Sequence, residues 1–187
     1  MGFGTLLFGY FLAFAFSLSP TYFFADVIGT MVMAYAFTKL SVHAKNFKRA
    51  AFVSALYSIY SAVYAVLQFT IPDKMSEVLF ESVAVSFSII GQFAVHFFMF
   101  AGIIELTKSI GLNKIASKAR RNLGIFIAYI VVYIFTLVFG GIMSSVIPEF
   151  LKYINLFNYL FMFLWLFLNI ILIFSCMKWI GLEGEDE

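Results

Sequence analysis

Apolar runs of about 20 residues, separated by short polar breaks, recur along the whole sequence. The breaks fall at Ser19-Pro20, at the basic run 45–49, at 71–74, at the basic run 108–121 and at Pro148-Glu149. A helix of about 20 residues crosses a hydrocarbon core about 30 Å thick. The runs lack the strict alternation of lipid-facing strands, which excludes a closed barrel. The sequence therefore predicts an all-α, polytopic membrane helix bundle.

Six transmembrane helices are predicted within a single transmembrane domain, residues 1–187. Their expected positions are near residues 4–18, 22–42, 50–70, 80–106, 123–146 and 153–178. The first has no basic flank and no small-residue cleavage site, so we expect a retained helix rather than a signal peptide. Composition agrees, because 12% of the residues are charged, against about 25% in soluble domains.

Lysine and arginine residues collect on one side of these predicted helices. Of the 12 in the chain, all but Lys74 and Lys152 fall in the loops after helices 2 and 4 or near the end of helix 6. Basic loops remain in the cytoplasm when a membrane protein inserts. We therefore expect both termini on the cytoplasmic side of a cell membrane that the chain crosses six times.

Polar side chains form a row along each of several predicted helices. In helix 3 the row is Ser54, Tyr57, Ser58, Ser61, Tyr64 and Gln68. Helix 4 carries Glu81, Ser88, Gln92 and His96, helix 5 carries Tyr129, Tyr133, Thr136, Gly140 and Ser144, and helix 6 carries Asn155, Asn158, Met162, Trp165, Asn169 and Cys176. Lipid tails offer no hydrogen-bond partner, so these rows are expected to face the bundle interior.

Two interpretations of that interior remain open. The rows could pack as helix-to-helix contacts, or the larger polar groups could line a small-molecule site, because an unpaired amide or imidazole in the membrane costs several kcal/mol. The candidate ligand-binding residues are Ser58, Tyr64, Gln92, His96, Tyr133, Trp165 and Asn169. A metal site is not expected, since His96 has no imidazole or thiolate partner at usable spacing.

Catalytic signatures are missing from the sequence. It contains no DDxxD, HExxH or GxSxG motif and no glycine-rich phosphate loop, which are the patterns that place reactive groups together. The single cysteine, Cys176, excludes an internal disulfide and a CxxC site. We therefore predict no catalytic residue and no cofactor, and an enzyme is not the favoured class.

The remaining charged residues are assigned by position along the predicted helices. Asp26 and Glu81 lie in the first turns of helices 2 and 4 and are candidates for a gate or outer contact, or for helix capping. Glu105 is expected to pair with Lys108 on the helix surface. Five basic residues are candidates for binding a partner or lipid headgroups: Lys48, Arg49, Lys118, Arg120 and Arg121.

The segment 23–50 resembles a group of small bacterial multi-pass membrane proteins. The matching residues are Asp26 to Gly29 at the start of helix 2, Lys39 to Ser41 at its end, and the run from Asn46 to Ala50. A proline often precedes the aspartate in that group, where this chain has Ala25. The resemblance covers about the first third of the chain. It implies a bacterial cytoplasmic membrane and a joint role for Asp26 and Gly29, in which Gly29 allows close helix approach. It implies no activity.

These observations predict a membrane protein that binds a small molecule or ion among helices 3 to 6. It would act as a compact transporter or as the membrane-embedded binding subunit of a transport complex. The alternative is a non-transporting accessory or assembly protein whose polar rows are helix-packing contacts. Expected partners are the lipid bilayer, a small-molecule ligand or ion, and a partner membrane subunit or a second copy of the chain, but not nucleic acid.

Overall fold

The computed structural model describes residues 2–15, 23–71, 78–147 and 149–182. Regular structure in these ranges is helical throughout, in the order α1 (Phe3–Ala15), α2 (Phe23–Leu40), α3 (Lys45–Thr70), α4 (Val78–Ser109), α5 (Asn113–Val146) and α6 (Phe150–Leu182). The all-α prediction is confirmed.

Four helices are long and apolar enough to cross a membrane. The qualifying segments are Lys45–Thr70 in α3, Val83–Ser109 in α4, Asn113–Thr136 in α5 and Lys152–Ile180 in α6. In α1 the apolar segment is shorter, Phe3–Phe14. The chain is therefore a helical protein with four candidate membrane spans. Two statements stay predictions: that α1 and α2 also cross the bilayer, and that both termini are cytoplasmic.

The helices extend further into the basic runs than the apolar pattern indicated. α3 begins at Lys45 rather than near residue 50, and α5 begins at Asn113 rather than near 123. Lysine, arginine and alanine are good helix formers, so a helix continues past the edge of its apolar segment. The α4–α5 connection shortens to 110–112, where Gly111 has a φ of 79°. Leu112 N–H donates to Thr107 O at 2.7 Å and Gly111 N–H to Lys108 O at 3.2 Å, the pattern of a Schellman C-cap.

The six helices form a closed ring in chain order. Each helix packs against the one before and the one after it, and α6 returns to pack against α1. On α3, Ser54, Tyr57, Ser58 and Ser61 are buried, whereas Phe52, Leu56, Ile59, Val63, Val66 and Phe69 are exposed. The polar row of α3 thus faces its neighbours in the ring, and an apolar stripe faces outward.

Close helix contacts occur next to the basic loops and also between α1 and α2 farther from them. The Phe47 ring lies between those of Phe3 and Phe37, with centroids 6.1 and 6.0 Å away, and a Cβ on Gly102 would lie 2.6 Å from the Phe47 ring. Between α1 and α2, a Cβ on Gly29 would overlap the backbone of Ala13. Gly29 therefore does allow close helix approach.

Glu105 has a different role from the one expected. Its carboxylate accepts the backbone N–H groups of Lys45 and Asn46 at 3.3 and 3.2 Å, and the Asn46 side-chain amide at 2.9 Å. These N–H groups belong to the first turn of α3 and have no acceptor within the helix. Among the described residues Glu105 therefore caps a neighbouring helix, and the predicted Lys108 pair is wrong because these N–H groups compete for the carboxylate.

Candidate ligand-binding site

A chain of hydrogen bonds crosses the interior of the ring and joins α5, α6, α1 and α4. Asn122 Nδ2 donates to Asn169 Oδ1 at 3.0 Å, and Asn169 Nδ2 donates to the Tyr10 hydroxyl at 2.9 Å. Tyr10 Oη lies 3.1 Å from His96 Nε2, and His96 Nδ1 lies 2.7 Å from the backbone oxygen of Gln92. The four side chains in this chain are at most 1% exposed.

The direction of each hydrogen bond in the chain follows from its last acceptor. A backbone carbonyl only accepts, so His96 Nδ1 carries the proton that reaches the Gln92 oxygen. Nε2 of a neutral ring protonated at Nδ1 carries only a lone pair, so Tyr10 donates to it while accepting from Asn169. Every step is satisfied by a neutral imidazole, whereas a second proton on His96 would make Nε2 a donor and leave the Tyr10 hydroxyl hydrogen without an acceptor among the described residues. The arrangement selects the neutral Nδ1–H tautomer.

Aromatic rings enclose His96 on several sides. Ring centroids of Trp165, Phe14 and Phe126 lie 4.4, 4.8 and 4.9 Å from the imidazole. The Tyr10 ring meets it edge-on at 5.6 Å. Apolar surroundings strengthen the hydrogen bonds of a buried polar group and make an unpaired charge costly there. The enclosure therefore supports the neutral tautomer.

Two adjacent cavities lie beside this enclosure, between α4, α5 and α6. The larger, of about 470 Å³, is lined by Val85, Ser88, Ile89, Gln92, Phe126, Tyr129, Ile130, Tyr133, Asn158, Tyr159 and Met162. The smaller, of about 250 Å³, is lined by Phe14, Gln92, His96, Phe126, Tyr129, Phe161, Met162, Trp165 and Leu166. They share Gln92, Phe126, Tyr129 and Met162. Both lie away from the basic loops, beyond the packed layer around Phe47.

Each cavity has one wall residue with a buried polar atom that lacks a hydrogen-bond partner. In the smaller cavity it is Trp165 Nε1, and in the larger one Asn158 Oδ1. Such groups are rare in folded proteins and cost about 1–3 kcal/mol each. Within the described residues the other one is Ser54 Oγ on α3, which lines neither cavity. Two of the three thus belong to the cavity walls.

Hydrogen bonds to α3 hold the polar residues of the larger cavity in place. The Tyr57 hydroxyl lies 3.2 Å from Ser88 Oγ and accepts from Gln92 Nε2 at 3.2 Å. A Cβ on Gly91 would overlap the Tyr57 ring, so α3 and α4 approach closely at this level. The polar row of α3 contributes to the cavity through Tyr57, which supports the wall rather than lining it.

Asp26 lies apart from the cavities, at the α2–α3 contact. Its carboxylate accepts a hydrogen bond from Ser61 Oγ at 3.1 Å, and Ser58 Oγ donates to the backbone oxygen of Val27 at 3.2 Å. The Asp26 side chain is half-buried. These bonds fasten the start of α2 to α3, as expected for a polar group at a helix interface.

The structure divides the seven candidate ligand-binding residues into three groups. Gln92, His96, Tyr133 and Trp165 line the cavities. Asn169 is fully buried behind them and holds Tyr10. Ser58 lies at the α2–α3 contact, and Tyr64 accepts a hydrogen bond from Gln68 on its own helix at 2.9 Å. The two interpretations of the interior therefore apply to different residues, since some of the candidates lie only in helix-to-helix contacts and others line the cavities.

The charged candidates lie outside the cavities. Glu81 belongs to α4, but its side chain is outside the described part of the chain. The five basic candidates are exposed: Lys48, Arg49, Lys118, Arg120 and Arg121. No group of three or more metal-binding side chains occurs among the described residues.

Sequence reasoning missed two members of the hydrogen-bond chain. Tyr10 is the one hydroxyl-bearing residue in the middle of the apolar segment 6–16, a signal that a search for polar rows passes over. Asn122 follows two arginines and precedes the predicted helix 123–146. In the structure it lies within α5 and is 1% exposed. Asn158 and Tyr129 lie on the predicted polar rows and line the larger cavity, although they are not among the seven predicted ligand-binding residues.

Comparison with family models, with curated proteins and with solved structures finds no match to this chain.

Proposed function

We propose that this protein binds a small molecule in the cavities between α4, α5 and α6, within a bacterial cytoplasmic membrane. It would serve as a compact transporter or as the membrane-embedded binding subunit of a transport complex. The observation that carries the proposal is the pair of adjacent cavities whose walls hold two buried, unpartnered polar atoms, Trp165 Nε1 and Asn158 Oδ1.

Size and lining support a binding role. Protein interiors are close-packed, with few voids larger than a water molecule, and ligand pockets usually measure about 300–1,000 Å³ with apolar walls and few polar groups. The larger cavity, of about 470 Å³, is in this range. If the polar groups served only as helix-packing contacts, they would hydrogen-bond to one another, as Asn122, Asn169 and Tyr10 do.

A layer of fully buried side chains next to the cavities supports capture rather than free conduction. Cavity-lining residues of α4 run from Val85 to His96 and those of α5 from Phe126 to Tyr133. Beyond them, toward the basic loops, Phe47, Phe100 and Ile103 are fully buried between the helices. A solute bound in the cavities would need a change of helix packing to continue past this layer.

The test compares two cysteines on α4 in a Cys176→Ser background, with a small water-soluble thiol reagent. Ser88 lines the larger cavity, and Ile90, two residues along, is 65% exposed on the outer surface. We expect Ser88→Cys to react and Ile90→Cys, facing lipid, to remain unreactive. Mild-detergent native mass spectrometry of the purified chain should then show bound small molecules. An unreactive Ser88→Cys would contradict the proposal, because no solute could enter.

A second candidate function is supported by the exposed basic residues of α5. Lys118, Arg120 and Arg121 lie on its first three turns, beside the loop after α4. An accessory or assembly protein would use them to dock a partner subunit. Under that proposal, changing all three to glutamate releases a co-purifying subunit without altering membrane insertion. Unchanged co-purification would count against it.

A further inference from the structure

The cavity walls are uncharged among the described residues. No Asp, Glu, Lys or Arg side chain lines either cavity, and the hydrogen bonds of His96 select its neutral form. An ion placed there would have no counter-charge, and burying an unpaired charge is far more costly than burying a neutral polar group. The lining therefore favours an uncharged ligand.

Flat aromatic faces form much of the smaller cavity. Phe126 and Trp165 stack with centroids 4.6 Å apart at 19°, and Tyr129 and Phe161 stack at 4.7 Å and 5°. Aromatic rings add to such walls by offset stacking or by edge contacts. An apolar cavity of about 150 Å³ binds benzene. A cavity of about 250 Å³ has room for one ring or two fused rings.

Trp165 carries an unpartnered hydrogen-bond donor in the wall of this apolar space. Its side chain is 8% exposed, and its Nε1–H has no partner among the described residues. Indole nitrogen is a donor only, so it can be satisfied only by an acceptor. An unsatisfied donor also discriminates strongly, since a ligand of the same shape without the acceptor leaves the donor unpaired.

From these three features we propose that the ligand is an uncharged aromatic heterocycle of one or two rings, held in the smaller cavity, whose ring nitrogen or carbonyl accepts a hydrogen bond from Trp165. This inference rests on the proposed function and specifies the class of molecule bound.

Fluorescence of a single tryptophan reports binding directly. The chain has 2 tryptophans, and Trp179 is 52% exposed near the end of α6, so Trp179→Phe leaves Trp165 as the sole emitter. The full chain in lipid nanodiscs is titrated with quinoline, naphthalene and N-methylquinolinium. Quinoline and naphthalene share a shape, but only quinoline has an acceptor. We expect quinoline to bind about tenfold more tightly than naphthalene, or about 1.4 kcal/mol, and the cation not to bind.

A second variant separates the hydrogen bond from partitioning into lipid. Trp165→Phe keeps an aromatic wall and removes the N–H group. Binding of both probes to this variant is measured by calorimetric titration. The preference for quinoline over naphthalene should fall about tenfold, to the ratio with which the two probes partition into lipid without protein. Phe163→Leu is the matched control, because Phe163 is on the same helix and 60% exposed. It should retain the full ratio.

The outcomes distinguish this inference from the function on which it rests. Equal ratios in the wild type and Trp165→Phe would overturn the hydrogen bond, and tighter binding of N-methylquinolinium would overturn the uncharged class. If none of the probes binds while Ser88→Cys still reacts with thiol reagent, the heterocycle class is wrong and the accessible cavity remains. If Ser88→Cys is also unreactive, the proposed function fails too.

Discussion

Tyr10 connects three helices through a single hydroxyl group. Its oxygen accepts from Asn169 on α6 and donates to His96 on α4, while the residue itself belongs to α1. A hydroxyl group can donate and accept a hydrogen bond at the same time, whereas an amide N–H only donates and a carbonyl oxygen only accepts. This one group thus continues the series of hydrogen bonds whose direction, and with it the tautomer of His96, is set by the backbone oxygen of Gln92.

Removing that hydroxyl should destabilise the protein. Tyr10→Phe leaves His96 Nε2 and one Asn169 N–H group without partners, and each unsatisfied buried group costs about 1–3 kcal/mol. We expect a clearly lower melting temperature in detergent or nanodiscs. Tyr35→Phe is the control, since Tyr35 is 57% exposed and should behave as the wild type. Equal melting temperatures for both variants would show that the hydrogen bonds of the Tyr10 hydroxyl contribute nothing to stability.

The α1–α2 pair depends on two glycines that face each other. A Cβ on Gly9 would lie 2.8 Å from the Met33 backbone nitrogen, and a Cβ on Gly29 would overlap Ala13. Backbone atoms cannot move aside as a side chain can, so the helices themselves would have to separate. Small residues of this kind govern helix association in lipid, where no hydrophobic effect drives it.

A methyl group at Gly29 should therefore be costly, whereas the same change elsewhere should not. Gly29→Ala forces α1 away from α2, and overpacking of this kind costs about 1–3 kcal/mol. Gly124→Ala is the matched control, because a Cβ there meets nothing within 4 Å and alanine is the better helix former. Thermal unfolding measures both. A Gly29→Ala protein as stable as Gly124→Ala would mean that the helices do not approach closely there.

The start of α3 is fastened to α4 by a carboxylate rather than by an ion pair. Glu105→Gln removes the charge that faces the α3 N-terminus, an interaction of about 0.3–1 kcal/mol. Hydrogen exchange at the Lys45 and Asn46 amides should speed up in this variant. Lys108→Gln should leave exchange at those amides unchanged, whereas it would disturb Glu105 if the surface ion pair existed. The two variants therefore separate a cap from a salt bridge.

Helix type and approximate position were predictable from the sequence because the length and polarity of each run determine them. The polar row of α3 was predictable for the same reason, since its 3.6-residue period places Ser54 and Ser58 on one face. Helix starts were less predictable: basic residues continue α3 and α5 beyond the apolar runs. The division of polar residues into paired and cavity-lining groups depends on which helices are neighbours. Periodicity within one helix carries no information on that point, so Tyr10 was not anticipated as the partner of His96.

At the scale of the whole molecule, the closed ring makes the two halves of the bundle unequal. Toward the basic loops, fully buried aromatic and aliphatic side chains such as Phe47, Phe100 and Ile103 pack between the helices, whereas the other half holds the two cavities between α4, α5 and α6. Ligand access and membrane orientation are therefore linked. If the basic loops are cytoplasmic, the cavities lie in the outer half of the membrane, and a solute would be captured from outside the cell.

Cysteine labelling in intact cells tests that orientation. In a Cys176→Ser background, Val42→Cys and Ile110→Cys place a thiol in the two basic loops, and Ile71→Cys and Ile147→Cys place one at the opposite ends of the helices. A membrane-impermeant reagent should label positions 71 and 147 in intact cells, and 42 and 110 only after the cells are permeabilised, because positively charged loops stay in the cytoplasm.

A fifth cysteine extends the same experiment to α1 and α2, whose crossing of the bilayer depends on sequence alone. Thr21→Cys lies between these two helices in the sequence, so six crossings require it to react from outside together with position 71. Reaction from the cytoplasmic side would leave four crossings, with α1 and α2 packed against the others without traversing the bilayer. Tyr10 and Phe14 of α1 contact His96, which lines the smaller cavity. Four crossings would therefore also change the depth in the membrane at which this cavity lies.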